Sequence, residues 1–194
     1  MHMRTIHVLG LLSLIMATPA TAQYADPRGR YLDAPDTYAP QRAYPTATRQ
    51  LVQVGARYGR GTLVVDTSSR ELYYMLGQGQ AIAYGIGVGR EGFLWKGSAH
   101  IGRKAQWPGW TPPREMLKRR PDLPRHMEGG IDNPLGARAL YLYRGKKDTL
   151  FRIHGTNEPW TIGQAVSSGC IRMMNADVID LFGRVSVGAR VVVI

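Results

Sequence analysis

A mostly β domain, sandwich- or barrel-like with a few short helices, is what this sequence predicts, on three observations. Short β-branched and aromatic runs recur from residue 62 to residue 194. Glycine-rich or polar turns such as "DTSSR", "GQGQ" and "RGKKD" separate them, which is the punctuation of an all-β chain. Stretches with helical spacing are few and short.

The chain opens with Arg4, an apolar run from Val8 to Ala17, and small residues from Ala20 to Ala22 that fit a cleavage site before Gln23. Residues 1–22 therefore read as a secretory signal peptide. A retained signal anchor competes with this reading, but the run is well short of the ~20 residues that span a bilayer. No other segment is long and apolar enough, so no transmembrane segment is expected after cleavage. Residues 23–50 are rich in Pro, Tyr and Arg and poor in aliphatic residues, the composition of a flexible tether. Residues 51–194 are left as one folded domain, long enough to bury a core.

Within that domain the expected strands are "TLVVD" (62–66), "ELYYML" (71–76), "AIAYGIGV" (81–88), "ALYLY" (139–143), "LFRIH" (150–154) and "ARVVVI" (189–194). Three helix starts are expected. Thr111-Pro112 offers one; Thr161 followed by Gln164 forms a capping-box pattern that would begin a turn or two through Val166. Asn175 would cap a helix carrying Val178, Ile179 and Phe182, with Gly183 past its last turn. Between Trp95 and Pro134 the chain reads as irregular, a lid or substrate wall.

The chain carries 25 Lys and Arg against 14 Asp and Glu, a formal net charge of +11. Such a surface attracts polyanions. An exported protein does not meet nucleic acid; in the periplasm or cell envelope it meets anionic glycan, stem-peptide carboxylates and phospholipid headgroups. A merely soluble, solvated surface explains the charge as well.

Only one cysteine, Cys170, is present, so no disulfide can form within the chain. A lone thiol in an exported chain is either bridged to another chain or free and reactive, unless it is simply a small buried hydrophobe. Its surroundings favour reactivity. In "LFRIH", Phe151 and Ile153 would face the core, leaving Arg152 and His154 on an accessible face. Ser167, Ser168 and Gly169 would deliver Cys170 from a flexible loop. An imidazole can take the thiol proton, provided that its other nitrogen is held by an acceptor; the Gly155 carbonyl is placed for this. The backbone N–H groups of Ser168, Gly169 and Cys170 would form an oxyanion hole. His100 and His126, the other histidines outside the signal, have ordinary strand and loop settings.

The segment "HGTNEPWTIGQAVSSGCIRM" (154–173), followed by "NADVIDLF", resembles the active-site signature of the YkuD-type L,D-transpeptidases, and "WTPPREM" and "DNPLGARALYLY" resemble the family segments before it. The resemblance covers roughly residues 51–194 and implies a mostly β catalytic domain. It implies Cys170 as nucleophile, His154 as general base and acid, Gly155 as the orienting carbonyl, and Arg172 beside the pocket, organising it or meeting a substrate carboxylate. Two departures stand out: Ser168 occupies a position where many members carry histidine, and "LWKGSAHIGRK" replaces the usual Thr-Pro-x-Gly segment. The implied substrate is a peptidoglycan tetrapeptide stem. Attack at its third residue would release the terminal D-alanine and leave a thioester. The acceptor would be a second stem's amine, a lysine of an outer-membrane protein or lipoprotein, or water, which would make a carboxypeptidase. No cofactor and no metal is implied.

Rival classes are weaker. A papain-like peptidase has its cysteine before its histidine; a zinc hydrolase needs a ligand cluster that is not visible. "GVGREG" (87–92) spells G-x-G-x-x-G, but no helix pattern follows it. A non-catalytic basic glycan-binding module with a buried Cys170 is the alternative outside enzymes.

Overall fold

The structure, a computed structural model, describes residues 25–30 and 47–194. The signal peptide read at 1–22 and most of the tether read at 23–50 lie outside the described residues. The elements run β1 (Gln50–Gln53), β2 (Leu63–Asp66), β3 (Glu71–Gly77), β4 (Gln80–Gly89), β5 (Gly97–Gln106), α1 (Arg114–Arg119), β6 (Arg138–Arg144) and β7 (Lys147–His154). A short 3-10 helix at Pro159–Thr161 follows, then β8 (Ala165–Ser167), β9 (Ile171–Met173), α2 (Asn175–Arg184) and β10 (Arg190–Val193).

The strands make one sheet ordered β1-β4-β3-β2-β10-β5-β6-β7-β9. The long β4 also pairs with β9, Ile86 opposite Met173 and Gly87 opposite Arg172, so the path from β4 round to β9 closes on itself. Closure is possible because β4 is ten residues long: its first part carries β1 and β3, and its second part carries β9 and β8. Inside lie Leu63, Leu72, Ile86, Ile101, Leu140 and Ile153, each fully buried, together with Val178 and Leu181 of α2. Removing that apolar surface from water is the main force holding the sheet closed.

Local detail departs from the sequence expectations at several points. β5 runs through the segment read as irregular; "GSAHIGRKAQ" alternates Ala99 and Ile101 inward, and its many polar residues hide the strand signal. The capping box at Thr161 does not form, because the Thr161 hydroxyl donates to Glu158 O at 2.7 Å and the chain goes on to β8. α2 begins at Asn175, but Met174 is its N-cap and no side chain caps it; Gly183 lies inside the helix. α1 starts at Arg114, just beyond Thr111-Pro112.

The stretch read as a tether is docked at both described pieces. Asp26 has no exposed side-chain surface. It accepts hydrogen bonds from the Arg28 and Arg30 N–H groups, each at 2.9 Å, from Arg30 Nε at 2.9 Å and from Ile131 N at 3.4 Å. Arg30 also pairs with Asp132 at 2.8 Å. Thr48 donates its N–H and its hydroxyl to Asp177 Oδ2, both at 2.8 Å, and its Oγ1 accepts from Gly85 N at 2.7 Å. Composition missed these anchors because polar groups, not aliphatic ones, make them.

Candidate active site

β7 and β9 run parallel, with Ile153 opposite Ile171 and His154 opposite Arg172. Ile153 and Ile171 are both buried in the core, so their neighbours Arg152, His154, Cys170 and Arg172 fall on the other face. That register brings the predicted cysteine and histidine to one face, from strand ends adjacent in space. Cys170 is free and partly exposed.

A β-bulge sets this register. The β6–β7 pairing shifts between Tyr141 and Tyr143, where Leu150 takes φ 64° and Thr149 Oγ1 donates to Leu142 O at 2.7 Å. From Tyr143 to Tyr141 β6 takes two steps while β7 takes four, from Asp148 to Arg152, and the two extra residues re-aim the rest of β7.

His154 is only 4% exposed, which corrects the expectation of an accessible histidine; Ala139 pairs with it across the sheet. Its Nδ1 donates to Gly155 O at 2.6 Å. With the proton on Nδ1, Nε2 keeps a lone pair and can act as a base. Burial pushes the imidazole pKa down to about 4, against the stabilising pull of the Gly155 carbonyl, and the charges of Arg172 and Arg152 push the same way as burial. Burial raises the Cys170 thiol, opposed by the Arg152 N–H that donates to it and by the Arg152 and Arg172 charges. Both shifts favour the neutral thiol and the neutral imidazole over a thiolate–imidazolium pair.

The loop before Cys170 is tightly held. Ser167 Oγ donates to Cys170 O at 2.6 Å and accepts from Gly169 N at 3.1 Å. The Gly169 N–H is thus committed, which corrects its expected place in an oxyanion hole; the N–H groups of Ser168 and Cys170 remain candidates. Gly169 has φ 106°, and a Cβ there would sit 2.5 Å from the Phe151 ring, so only glycine fits. The sequence reading named Ser167 only as part of the loop that delivers Cys170; a hydroxyl three residues before the only cysteine was the available signal for its role as a staple.

Arg172 is not a free cation awaiting substrate. Its Nη1 donates to Glu158 Oε2 at 2.8 Å and to Thr161 Oγ1 at 3.3 Å. Glu158, which the sequence reading did not name, and Thr161, read there only as a helix start, are further site neighbours. His100 packs against Tyr143, and His126 meets Thr111 Oγ1 and Glu128. Among the described residues, no group of three or more His, Cys, Asp or Glu side chains could hold a metal ion, and no helix is long and apolar enough to cross a membrane.

A closed, β-rich domain with a lone cysteine and a Nδ1-protonated histidine on one face defines the class of protein. Residues 60–193 match the YkuD model, described as the L,D-transpeptidase catalytic domain, and the chain belongs to that family. It is 34% identical over 192 residues to ErfK/SrfK of Escherichia coli strain K12, named a probable L,D-transpeptidase, covering 95% of this chain and 56% of that one. It is 31% identical over 195 residues to the similarly named YcfS of the same organism, covering 96% and 55%. The chain thus spans little more than half the length of these relatives. A solved structure from Brucella melitensis, named a probable carnitine operon oxidoreductase, is 46% identical with a TM-score of 0.52, covering 77% of this chain and 95% of that one. An L,D-transpeptidase from Mycobacterium smegmatis has a TM-score of 0.51 at 17% identity, covering 69% and 58%, and shares the fold. The G-x-G-x-x-G at 87–92 gives no support to dinucleotide binding here: it runs from the end of β4 into a turn, and the next element is β5, not the helix that would receive a pyrophosphate.

Proposed function

We propose that this domain is an exported L,D-transpeptidase of the cell envelope that acts on peptidoglycan tetrapeptide stems through a thioester at Cys170. The observation that carries the reading is the 2.6 Å bond from His154 Nδ1 to Gly155 O, which leaves Nε2 unprotonated on the face that holds the only cysteine.

The reaction begins with a neutral pair. As Cys170 Sγ attacks the carbonyl of the third stem residue, its proton moves to His154 Nε2 and the carbonyl oxygen takes the negative charge. The N–H groups of Ser168 and Cys170 are the nearest candidates to receive that charge. The tetrahedral species collapses, the C–N bond to the terminal D-alanine breaks, and His154 gives its proton to the departing amine. An acceptor amine then attacks the thioester and loses a proton to His154, and Cys170 leaves and is reprotonated. The nearby Arg152 and Arg172 charges favour thiolate over thiol and imidazole over imidazolium. Both effects help the sulfur to leave and the base to reset. The acceptor is an amine of a second stem or of an outer-membrane protein or lipoprotein; water in that place makes the protein a carboxypeptidase.

Intact-mass spectrometry after incubation with a carbapenem tests the nucleophile: one covalent adduct is expected in the wild-type protein and none in Cys170→Ala. Disaccharide-tetrapeptide as substrate then separates the products, with a dimer for cross-linking and a tripeptide for hydrolysis. A folded wild-type protein that stays unmodified and turns over no stem peptide would leave the basic glycan-binding module as the better reading.

A further inference from the structure

We infer that Asn175 is a positioning residue that holds His154 in its working tautomer through the peptide group between Gly155 and Thr156. The inference rests on the acyl-transfer reading for its catalytic consequence, though not for its geometry.

That peptide group is gripped at both ends. Its carbonyl accepts from His154 Nδ1 at 2.6 Å; its N–H, the N–H of Thr156, donates to Asn175 Oδ1 at 3.2 Å. A trans peptide is a rigid plane with C=O and N–H pointing opposite ways, so the group that holds the N–H also aims the carbonyl. Hydrogen bonds in series polarise one another, so the Asn175 contact also makes the Gly155 oxygen a better acceptor for the imidazole proton.

The Asn175 amide is itself fixed. Oδ1 also accepts from Ala137 N at 2.9 Å, and Nδ2 donates to Thr156 O at 2.8 Å. Two N–H donors on one side and a carbonyl on the other allow only one orientation of the amide. Space has been cleared for it. A Cβ at Gly155 would lie 2.1 Å from Oδ1, and one at Gly136 would lie 2.3 Å from it. An asparagine at a helix start ordinarily turns its side chain onto its own helix. Here α2 has no side-chain cap, and the amide is spent on the site instead. Val178 and Leu181 root the helix in the core, so a rigid path leads from the core to Nε2 of His154.

Without the contact, the carbonyl is no longer aimed and the imidazole can carry its proton on Nε2, where no lone pair faces sulfur. The test uses the full chain with Asn175→Ala and Asn175→Asp, read by imidazole 15N NMR and by the rate of carbapenem acylation. Asn175→Ala is expected to turn the single Nδ1–H pattern of His154 into a mixture. It should also slow acylation by about 10- to 100-fold, the usual effect of removing a partner that orients a working ligand. Asn175→Asp keeps both acceptor bonds and loses the Nδ2 donation to Thr156 O, so it should retain the Nδ1–H tautomer and acylate faster than the alanine variant; it also decides the matter if the alanine variant does not fold. A folded Asn175→Ala protein with an unchanged 15N pattern and rate, or a folded Asn175→Asp protein with mixed tautomers, would overturn the inference. A wild-type protein that never acylates would sink the transpeptidase reading instead, while the 15N pattern would still judge Asn175.

Discussion

Cys170 and His154 are poised by burial more than by charge. Because the imidazole pKa sits at about 4, the acid limb of carbapenem acylation is expected near pH 4 rather than near the ordinary imidazole value. Because burial raises the thiol, alkylation of the free enzyme by iodoacetamide should be slow at pH 7 and should climb into the alkaline range. A thiolate–imidazolium pair would instead give a fast plateau through neutrality. His154→Gln should lower acylation about 10²- to 10⁴-fold, the range for a lost general base. Stability follows the same groups. Between about pH 4 and the ordinary 6.5, the unfolded chain binds a proton that native His154 refuses. Stability therefore falls as pH drops through that window. Thermal melts across pH 4–8 should show this slope in the wild type and a flatter one in His154→Gln.

At the scale of elements, the turn that presents the thiol is a hydroxyl-stapled loop. Ser167→Ala removes the bonds to Cys170 O and Gly169 N. It should slow acylation about five- to tenfold, as expected for loss of a hydrogen bond of about 1 kcal/mol. Gly169→Ala forces a Cβ into the Phe151 ring at a positive φ; strain of about 1–3 kcal/mol should appear as a lower Tm together with lost activity. Much of this was readable in advance. β2, β3, β4, β6, β7 and β10 are dense in Val, Ile, Leu and Tyr, and their runs mark them. β5 escaped because Ser98, His100, Gly102 and Arg103 break the apolar pattern, while β8 and β9 are only three residues long and owe their pairing to distant partners. The same limit applies within the site. Cys170, His154 and Gly155 stand out as a local motif. Glu158, Ser167 and the true task of Asn175 emerge only when β9 and α2 are laid beside β7, since a helix-start asparagine looks locally like a cap.

Across the whole molecule, residues 25–30 and 47–49, ahead of β1, belong to the folded body. The Asp26 turn locks residues 25–30 onto the loop at 130–132, and Asn157, three residues after His154, donates to Asp132 O at 2.9 Å. Asp26→Asn removes one of the two carboxylates that Arg28 and Arg30 share, Asp132 being the other. It is expected to lower Tm and to open the bonds after Arg28 and Arg30 to trypsin, with limited proteolysis as the check. The seam between β4 and β9 has a temporal consequence. Residues 86 and 87 meet residues 173 and 172, and β10 slots between β2 and β5, so strands from both ends of the domain must arrive before either is secured. Contacts so far apart in sequence form late. A domain that has not yet gained β9 therefore holds His154 beside Ala139 on one side but without Arg172 on the other, and the two halves of the site meet only when the seam closes.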